Sequence, residues 1–360
     1  NAGYRTTCVG KWHQGFHLRG YDLPLDGGPV DRGFHNYFGM PASLDIPPYF
    51  YIQGDRCVQP PTLPIKDNFS DGWTKIQGAF WRGGLVAPGF VHEEVTPKFT
   101  AKAVSEIERL GRNRAQPYFL YLALPSPHTP WLPIEEFKGK SDAGMYGDFT
   151  MQVDATVGRI LDAIDKTKSA DNTLVIFTSD NGPVWYPQDV ERLGHASVGK
   201  LRGMKGDAYE GGHRVPWVAR WPEHIAAGTS SDQLLCHTDL FATFAAIVGR
   251  EVPEGTAEDS VSLLPALLGN TDEKPTRDEL VTISSRGVLT LRRGSWKYID
   301  ALGSGGFTQP SRIKAKAGQP VGQLYDLAND LGENDDLATE QLDRWNQMRK
   351  RLAELSPSRR

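Results

Sequence analysis

Four short stretches of this 360-residue chain gather side chains that could do chemistry. Asp180 and Asn181 stand where the apolar run 173–179 gives way to Gly182 and Pro183. Two hard oxygen donors at such a point suit Ca2+ or Mg2+ better than a soft metal. An Asx-turn closing a strand accounts for the pair equally well on local features. His128 lies between Pro127 and Pro130, just past the run 118–124. Flanking prolines stiffen a loop, and a positioned imidazole can serve as general acid or base. A loop histidine bonded to backbone is the plainer alternative. Lys11 and His13 alternate in the stretch GKWH, so an extended chain would point both to one face, with Trp12 behind them. An ammonium is a compact charge for an anion, although a solvated lysine beside a core aromatic fits the pattern too. Lys205 sits in LRGMKGDAYEGGHRVP, where Gly203, Gly206, Gly211 and Gly212 would let backbone approach a ligand. Arg202 adds positive charge there, and Glu210 and Arg214 are spaced to pair and hold the loop. The four stretches together make one anion site with a hard metal; His195 and Arg202 are added as substrate-binding candidates.

The elements that must carry these residues are legible in part. Residues 1–95 are rich in Gly, Pro and aromatics without a sustained period, which predicts long loops with short elements. A helix is expected next, with Thr96 as N-cap, Pro97 in its first turn, Gly111 past its end, and Phe99, Ala103, Ile107 and Leu110 buried. The runs 118–124 and 173–179 read as strands covered on both faces. Between them, Phe149, Val153, Val157, Ile160, Leu161 and Ile164 mark a second helix. VPWVARWP is a third strand, and Thr238 opens a helix that Gly249 closes. Strand and helix alternating at this spacing predict an α/β domain with a largely parallel sheet, whose ligand site lies beyond the carboxyl ends of the strands. Asp180, Asn181 and His128 fall at such ends. After residue 270 a hairpin at Arg293–Gly294, a short strand QLYDL and a helix with Leu342, Trp345, Met348, Leu352 and Leu355 in line predict a small antiparallel sheet plus helix. Residues 301–322 read as a mobile loop.

Composition narrows the function classes. A net charge of −4 and the lack of a polybasic run speak against a nucleic-acid or membrane-surface protein. The apolar stretches are too short to span a bilayer. Cys8, Cys57 and Cys236 form neither a disulfide framework nor a zinc spacing.

GKWHQG, PSPHTP, SDNGP and GMKGDAYEGGHRVP occur in the order found in the formylglycine-dependent sulfatase family, and WKYI and LYDLANDLGENDDLA resemble its small C-terminal domain. RGFHNYFG through DIPPYFYIQGDRCV is most similar to the arylsulfatase and N-acetylgalactosamine-6-sulfatase branch. The resemblance implies an alkaline-phosphatase-like fold, with a catalytic domain over 1–270 and an α+β subdomain over 271–360. It implies that Lys11 contacts sulfate, His13 holds the formylglycine hydrate, and His128 protonates the leaving alcohol. Asp180 and Asn181 would bind Ca2+, and Lys205 would bridge sulfate and leaving group. The substrate would be a sulfated carbohydrate or aryl sulfate, and the location exported or lysosomal. Tyr49, Tyr51, Trp81, Arg82 and His195 are candidates for a sugar subsite.

Gln14 and His35 depart from the usual Leu and Asp. More consequentially, no cysteine stands in a C-x-P-S-R-like motif from which formylglycine could form, and the paired N-terminal aspartates that complete the calcium site are missing. Both motifs lie upstream of GKWH in the family, so a segment bearing them is expected outside these residues, and the chain alone is expected to be inactive. A non-catalytic sulfoglycan-binding remnant and a phosphodiesterase of the same superfamily are the alternatives. Two-zinc relatives usually carry His where Asn181 stands, which weighs against the latter.

Overall fold

The computed structural model describes residues 2–270 and 276–356. They divide into two compact units, 1–171 and 172–360. The expected boundary at 270 abuts residues 271–275, outside the described residues.

The first unit is built on a five-stranded sheet. Its strands are β1 (Arg5–Lys11), β2 (Asn36–Met40), β3 (Ile52–Gln53) and β4 (Arg56–Cys57), with β7 (Tyr118–Ala123) further along the chain. The order is β4-β3-β2-β1-β7. β1 pairs in parallel with β2 and β7, whereas β3 and β4 are antiparallel additions at one edge. The sheet is therefore mixed, with a parallel centre of three strands. β5 (Leu63–Ile65) and β6 (Gly84–Val86) form a separate ladder.

α1 (Val95–Gly111) buries Phe99, Ala103, Ile107 and Leu110, the stripe its 3.6-residue period requires. Thr96 lies inside the helix and bonds Ser126 Oγ at 3.0 Å instead of capping. α2 (Gly144–Lys166) buries Phe149, Val153 and Ile164. Neither helix, nor any other among the described residues, is long and apolar enough to cross a membrane.

The central position of β1 was hidden by its composition. RTTCVGK lacks a long apolar run, yet Thr7, Cys8, Val9 and Gly10 are buried. β7 is the converse case. Its six residues looked doubly covered, but it lies at the sheet edge with Tyr121 49% exposed.

The second unit opens with β8 (Val175–Thr178), which pairs antiparallel with β9 (Trp217–Arg220). Between them lie α3 (Pro187–Leu193) and the single-turn α4 (Glu210–His213). α5 (Asp239–Ile247) and α6 (Leu264–Leu267) follow. A four-stranded antiparallel sheet comes next, β10 (Glu279–Ile283), β11 (Leu289–Arg293), β12 (Trp296–Ile299) and β13 (Gln323–Asp326), in that order. β11 turns into β12 at Gly294, as the sequence suggested. α7 (Leu342–Leu355) buries Trp345, Met348 and Leu352 against Leu291, Tyr298 and Leu324 of this sheet. A second cluster joins Ala208 and Tyr209 of the glycine-rich loop to Ile299, Tyr325 and Leu327. That loop is thus packed on the C-terminal sheet.

The expectation of a mobile loop over 301–322 fails for its first half. Gly303, Ser304, Gly305 and Gly306 are buried and hydrogen-bonded to neighbouring segments. Their small side chains permit close backbone packing, which the sequence reading mistook for looseness.

Candidate active site

In the first unit, parallel pairing brings three strand ends to one edge. Lys11 is opposite Met40, and Gly10 is opposite Ala123. The pairing continues past β2 through Trp12 N–H to Met40 O (3.1 Å) and His13 N–H to Pro41 O (2.9 Å). Lys11 is half-buried and His13 exposed. His13 has φ 57°, so the chain leaves the extended conformation there. The alternation that would have aimed Lys11 and His13 to one face therefore does not hold.

His128 follows β7 between two cis prolyl bonds. Its Nδ1 lies 2.6 Å from the Thr129 carbonyl and 3.2 Å from Ser43 Oγ. A carbonyl only accepts, so Nδ1 carries the proton. Nε2 is then the nitrogen suited to exchange a proton with a substrate. Asp45 Oδ1 lies 3.8 Å from Nδ1, and Asp45 Oδ2 accepts from Arg82 Nη1 at 2.5 Å. Asp45 is buried, and its Oδ1 has no hydrogen-bond partner among the described residues. Sequence reasoning missed Ser43 and Asp45. They lie in an ordinary loop, MPASLD, and only the pairing of β1 with β2 brings that loop to this edge.

The second unit brings the other two stretches together. Lys205 N–H donates to Pro183 O (2.8 Å), and Gly182 N–H donates to Gly212 O (3.2 Å). A Cβ on Gly182 would sit 1.8 Å from Gly211 O, so only glycine admits this approach. The turn bearing Asp180 and Asn181 is thereby fixed to the loop bearing Lys205. Asn181 Nδ2 donates to Gly182 O at 2.9 Å, which leaves Oδ1 as the outward donor oxygen. Asp180 is exposed. Two hard oxygens on an anchored turn fit Ca2+ in kind, but they are two of the six to eight such an ion takes. Among the described residues no group of three His, Cys, Asp or Glu could hold a metal.

The loop is held by buried ions. Glu210 accepts from Arg214 Nε at 2.8 Å, the expected pair, and also from Lys297 Nζ (3.0 Å) and Arg292 Nη1 (3.2 Å). Lys297 Nζ is 2.9 Å from Glu333 Oε1, and Glu333 Oε2 accepts from Glu210 N–H at 2.6 Å. Burial pushes the Glu210 carboxyl up, but the Lys297, Arg214 and Arg292 charges outweigh it and bring its pKa down to about 2. Glu333 has one such cation, and burial raises its pKa. His213 beside them is lowered to about 4 by burial and then by the Lys297 charge.

Arg202 lies with its guanidinium 4.1 Å from the Tyr209 ring and donates to Glu333 O at 2.5 Å, so it fastens the same loop. His195 is exposed, with its carbonyl accepting from Trp185 Nε1 at 2.7 Å. The sugar-subsite candidates fare less well. Tyr49 is fully buried and donates to Arg82 O at 2.7 Å. Tyr51 packs on Phe38, Phe90 and Phe99. Trp81 stacks on His92, and Arg82 serves Asp45. These aromatics fill the core because the chain between β2 and α1 carries the first unit's apolar surface.

Residues 1–249 match the family model described as Sulfatase. The chain is 31% identical to the N-acetylgalactosamine-6-O-sulfatase of Bacteroides thetaiotaomicron, over 94% of this chain and 71% of that protein. It is 34% identical to Homo sapiens arylsulfatase A, over 92% of this chain but 64% of the relative. A solved structure from the work on metabolism of multiple glycosaminoglycans by Bacteroides thetaiotaomicron superposes with a TM-score of 0.84 at 30% identity. It covers 99% of this chain and 80% of the solved one.

Proposed function

The chain belongs to the sulfatase family, and from that premise we propose that it carries most of a site for hydrolysing the sulfate ester of a sugar. The observation that carries this reading is the joining of the Asp180–Asn181 turn to the Lys205 loop through Lys205 N–H and Pro183 O. It supports a reading in which Lys205 and the two hard oxygen donors serve one anion. Lys11 at the end of β1 and Lys205 neutralise sulfate oxygens as charge builds on them. His128, with Nδ1 engaged by Thr129 O, delivers a proton from Nε2 to the departing sugar oxygen. His13 orients the nucleophile. Asp180 and Asn181 hold part of a Ca2+ site; the ion, when bound, polarises the sulfate as a Lewis acid. Formylglycine, when present, would supply the attacking hydroxyl; none of Cys8, Cys57 and Cys236 stands in the motif from which it forms. The relative named for N-acetylgalactosamine 6-sulfate supports a sulfated amino sugar as substrate class.

The test joins the chain to a family N-terminal segment carrying C-x-P-S-R, matures the cysteine, and assays sulfate release. Turnover is expected from the joined protein and none from the chain alone. Lys11→Ala and Lys205→Ala should each lower kcat by about 10²–10³, as loss of a charge-stabilising donor does. Binding of sulfated sugar without turnover by the matured joined protein would favour the sulfoglycan-binding alternative.

A further inference from the structure

The segment 303–310 lies against the turn that bears Lys205, and one buried side chain fastens it there. Asp207 is fully buried. Its Oδ1 accepts from Phe307 N–H (2.7 Å) and Thr308 N–H (3.0 Å), and its Oδ2 from Thr308 Oγ1 (2.5 Å) and Met204 N–H (2.9 Å). A carboxylate with four donors satisfies its charge without a cation. Backbone bonds add to this: Ala208 N–H to Ser304 O at 2.7 Å and Ser285 N–H to Gly206 O at 2.9 Å. A Cβ on Gly306 would lie 2.2 Å from Gly206 O, so the two turns are in backbone contact.

Within this packing Phe307 stands apart. Gly303, Ser304, Gly305 and Gly306 are buried, yet Phe307 is 37% exposed. It is also placed over the turn: its Cδ1 lies 3.5 Å from where a Cβ on Gly206 would be, one residue from Lys205. Gln309 and Arg286 are exposed on the same platform, and Arg286 N–H bonds Gly305 O at 3.2 Å. An exposed aromatic ring with the Gln309 amide beside it, Nε2 donating to Phe307 O at 3.4 Å, suits a sugar, apolar on the ring and polar at its hydroxyls.

We propose that Phe307, held beside Lys205 by Asp207, is a specificity-determining residue on which the ring of the sulfated sugar stacks. The proposal rests on Lys205 as a sulfate ligand. It assigns Asp207 as a positioning residue and gives segment 303–310 a role in choosing sugar esters.

Calorimetric titration of the joined protein, with its motif cysteine replaced by alanine so that nothing turns over, against N-acetylgalactosamine 6-sulfate and, separately, inorganic sulfate tests it. Phe307→Ala should weaken the sugar sulfate about tenfold, which burial of about 55 Å2 of apolar surface is worth, and leave inorganic sulfate unchanged. Phe307→Tyr should restore the sugar sulfate to within about twofold. Lys205→Ala should weaken both ligands. If Lys205→Ala weakens both while Phe307→Ala weakens neither, the stacking role is overturned and the anion site stands. Equal loss of both ligands in Phe307→Ala would overturn it too, since the ring would then be propping the loop. If the joined protein binds neither ligand, or Lys205→Ala changes neither affinity, the anion-site reading falls and the stacking role with it.

Discussion

The two units hold their candidate residues by different physics. In the first, Lys11, His13 and His128 hang on the carboxyl ends of parallel strands, and backbone ladders set their places. Among the described residues the buried charge beside His128 is Asp45, whose partner Arg82 is half-exposed. In the second, Lys205 rides on a loop with little regular structure. What fixes it is the buried set Glu210, Lys297 and Glu333, and Asp207 with its four donors. A ladder distributes its restraint over many weak bonds. A buried ionic cluster concentrates it, because removing one member leaves the rest uncompensated in a poor solvent for charge.

The largest expected effect breaks that cluster. Lys297→Met keeps the volume and leaves Glu210 and Glu333 sharing a buried site without their common cation. The cost should be about 3–5 kcal/mol in denaturant unfolding at pH 7. A loss below about 1 kcal/mol would mean that Arg214 and Arg292 suffice, and that the loop is held mainly by its apolar contacts.

Acid should separate the units next. Burial holds the pKa of His92 in the first unit and His213 in the second at about 4, below the ordinary 6.5. A base lowered in the fold stays neutral there while the unfolded chain takes a proton. Each therefore contributes stability that is full above pH 6.5 and lost as pH falls toward 4, about 3 kcal/mol at most. Glu333 has the opposite sign. Its raised pKa penalises the fold at neutral pH, and relief of that penalty as pH falls toward 4.5 offsets part of the loss in the second unit. Glu210 keeps its contribution above about pH 4.5 and loses it as pH falls from there toward 2. Burial lowers His237 in the second unit as well, so among the described residues that unit holds two such bases against one in the first, and with Glu333 offsetting only part of the loss it should weaken more on acidification. Unfolding at pH 7 and pH 4.5, followed by a probe in each unit, would show it, and His92→Phe should flatten the response of the first unit alone. Equal slopes in the two units would remove this distinction.

The same contrast governs what could be read in the sequence. α1 and α2 were legible because their periods match the faces they bury, and the β11–β12 hairpin because its turn carries Gly294. The four chemical stretches were legible as motifs, and the chain does bring SDNGP onto the glycine-rich loop. The polar strand β1 was not legible, since its burial comes from strands 25 and 107 residues further on, whose registers local composition does not encode. Ser43 and Asp45 were missed for that reason. Phe307 and Asp207 were missed because a run of Gly and Ser looks loose until its backbone is seen to pack. β7 misled in the other direction: an apolar run reports a capacity to be buried, and its neighbours decide how much of it is.

The smallest expected effect falls on Asp45, and it tests the contrast from the first unit. Asp45 resembles Glu210 in being a buried carboxylate with an arginine on one oxygen. It differs in that Arg82 is 48% exposed at its side chain, so water screens the pair and can replace it. Asp45→Asn keeps the shape and an oxygen for Arg82, removes a charge, and touches no ladder bond. The loss in stability should stay below about 1 kcal/mol, several-fold less than for Lys297→Met, measured by the same unfolding titration. The fate of Oδ1 adds to this expectation. It is buried with no hydrogen bond to lose, only a 3.8 Å approach to His128 Nδ1, and that nitrogen keeps its bond to Thr129 O when the charge is gone. A loss of 3 kcal/mol or more at Asp45 would show that the first unit also depends on a concentrated charge, and the two units would then be held by the same means.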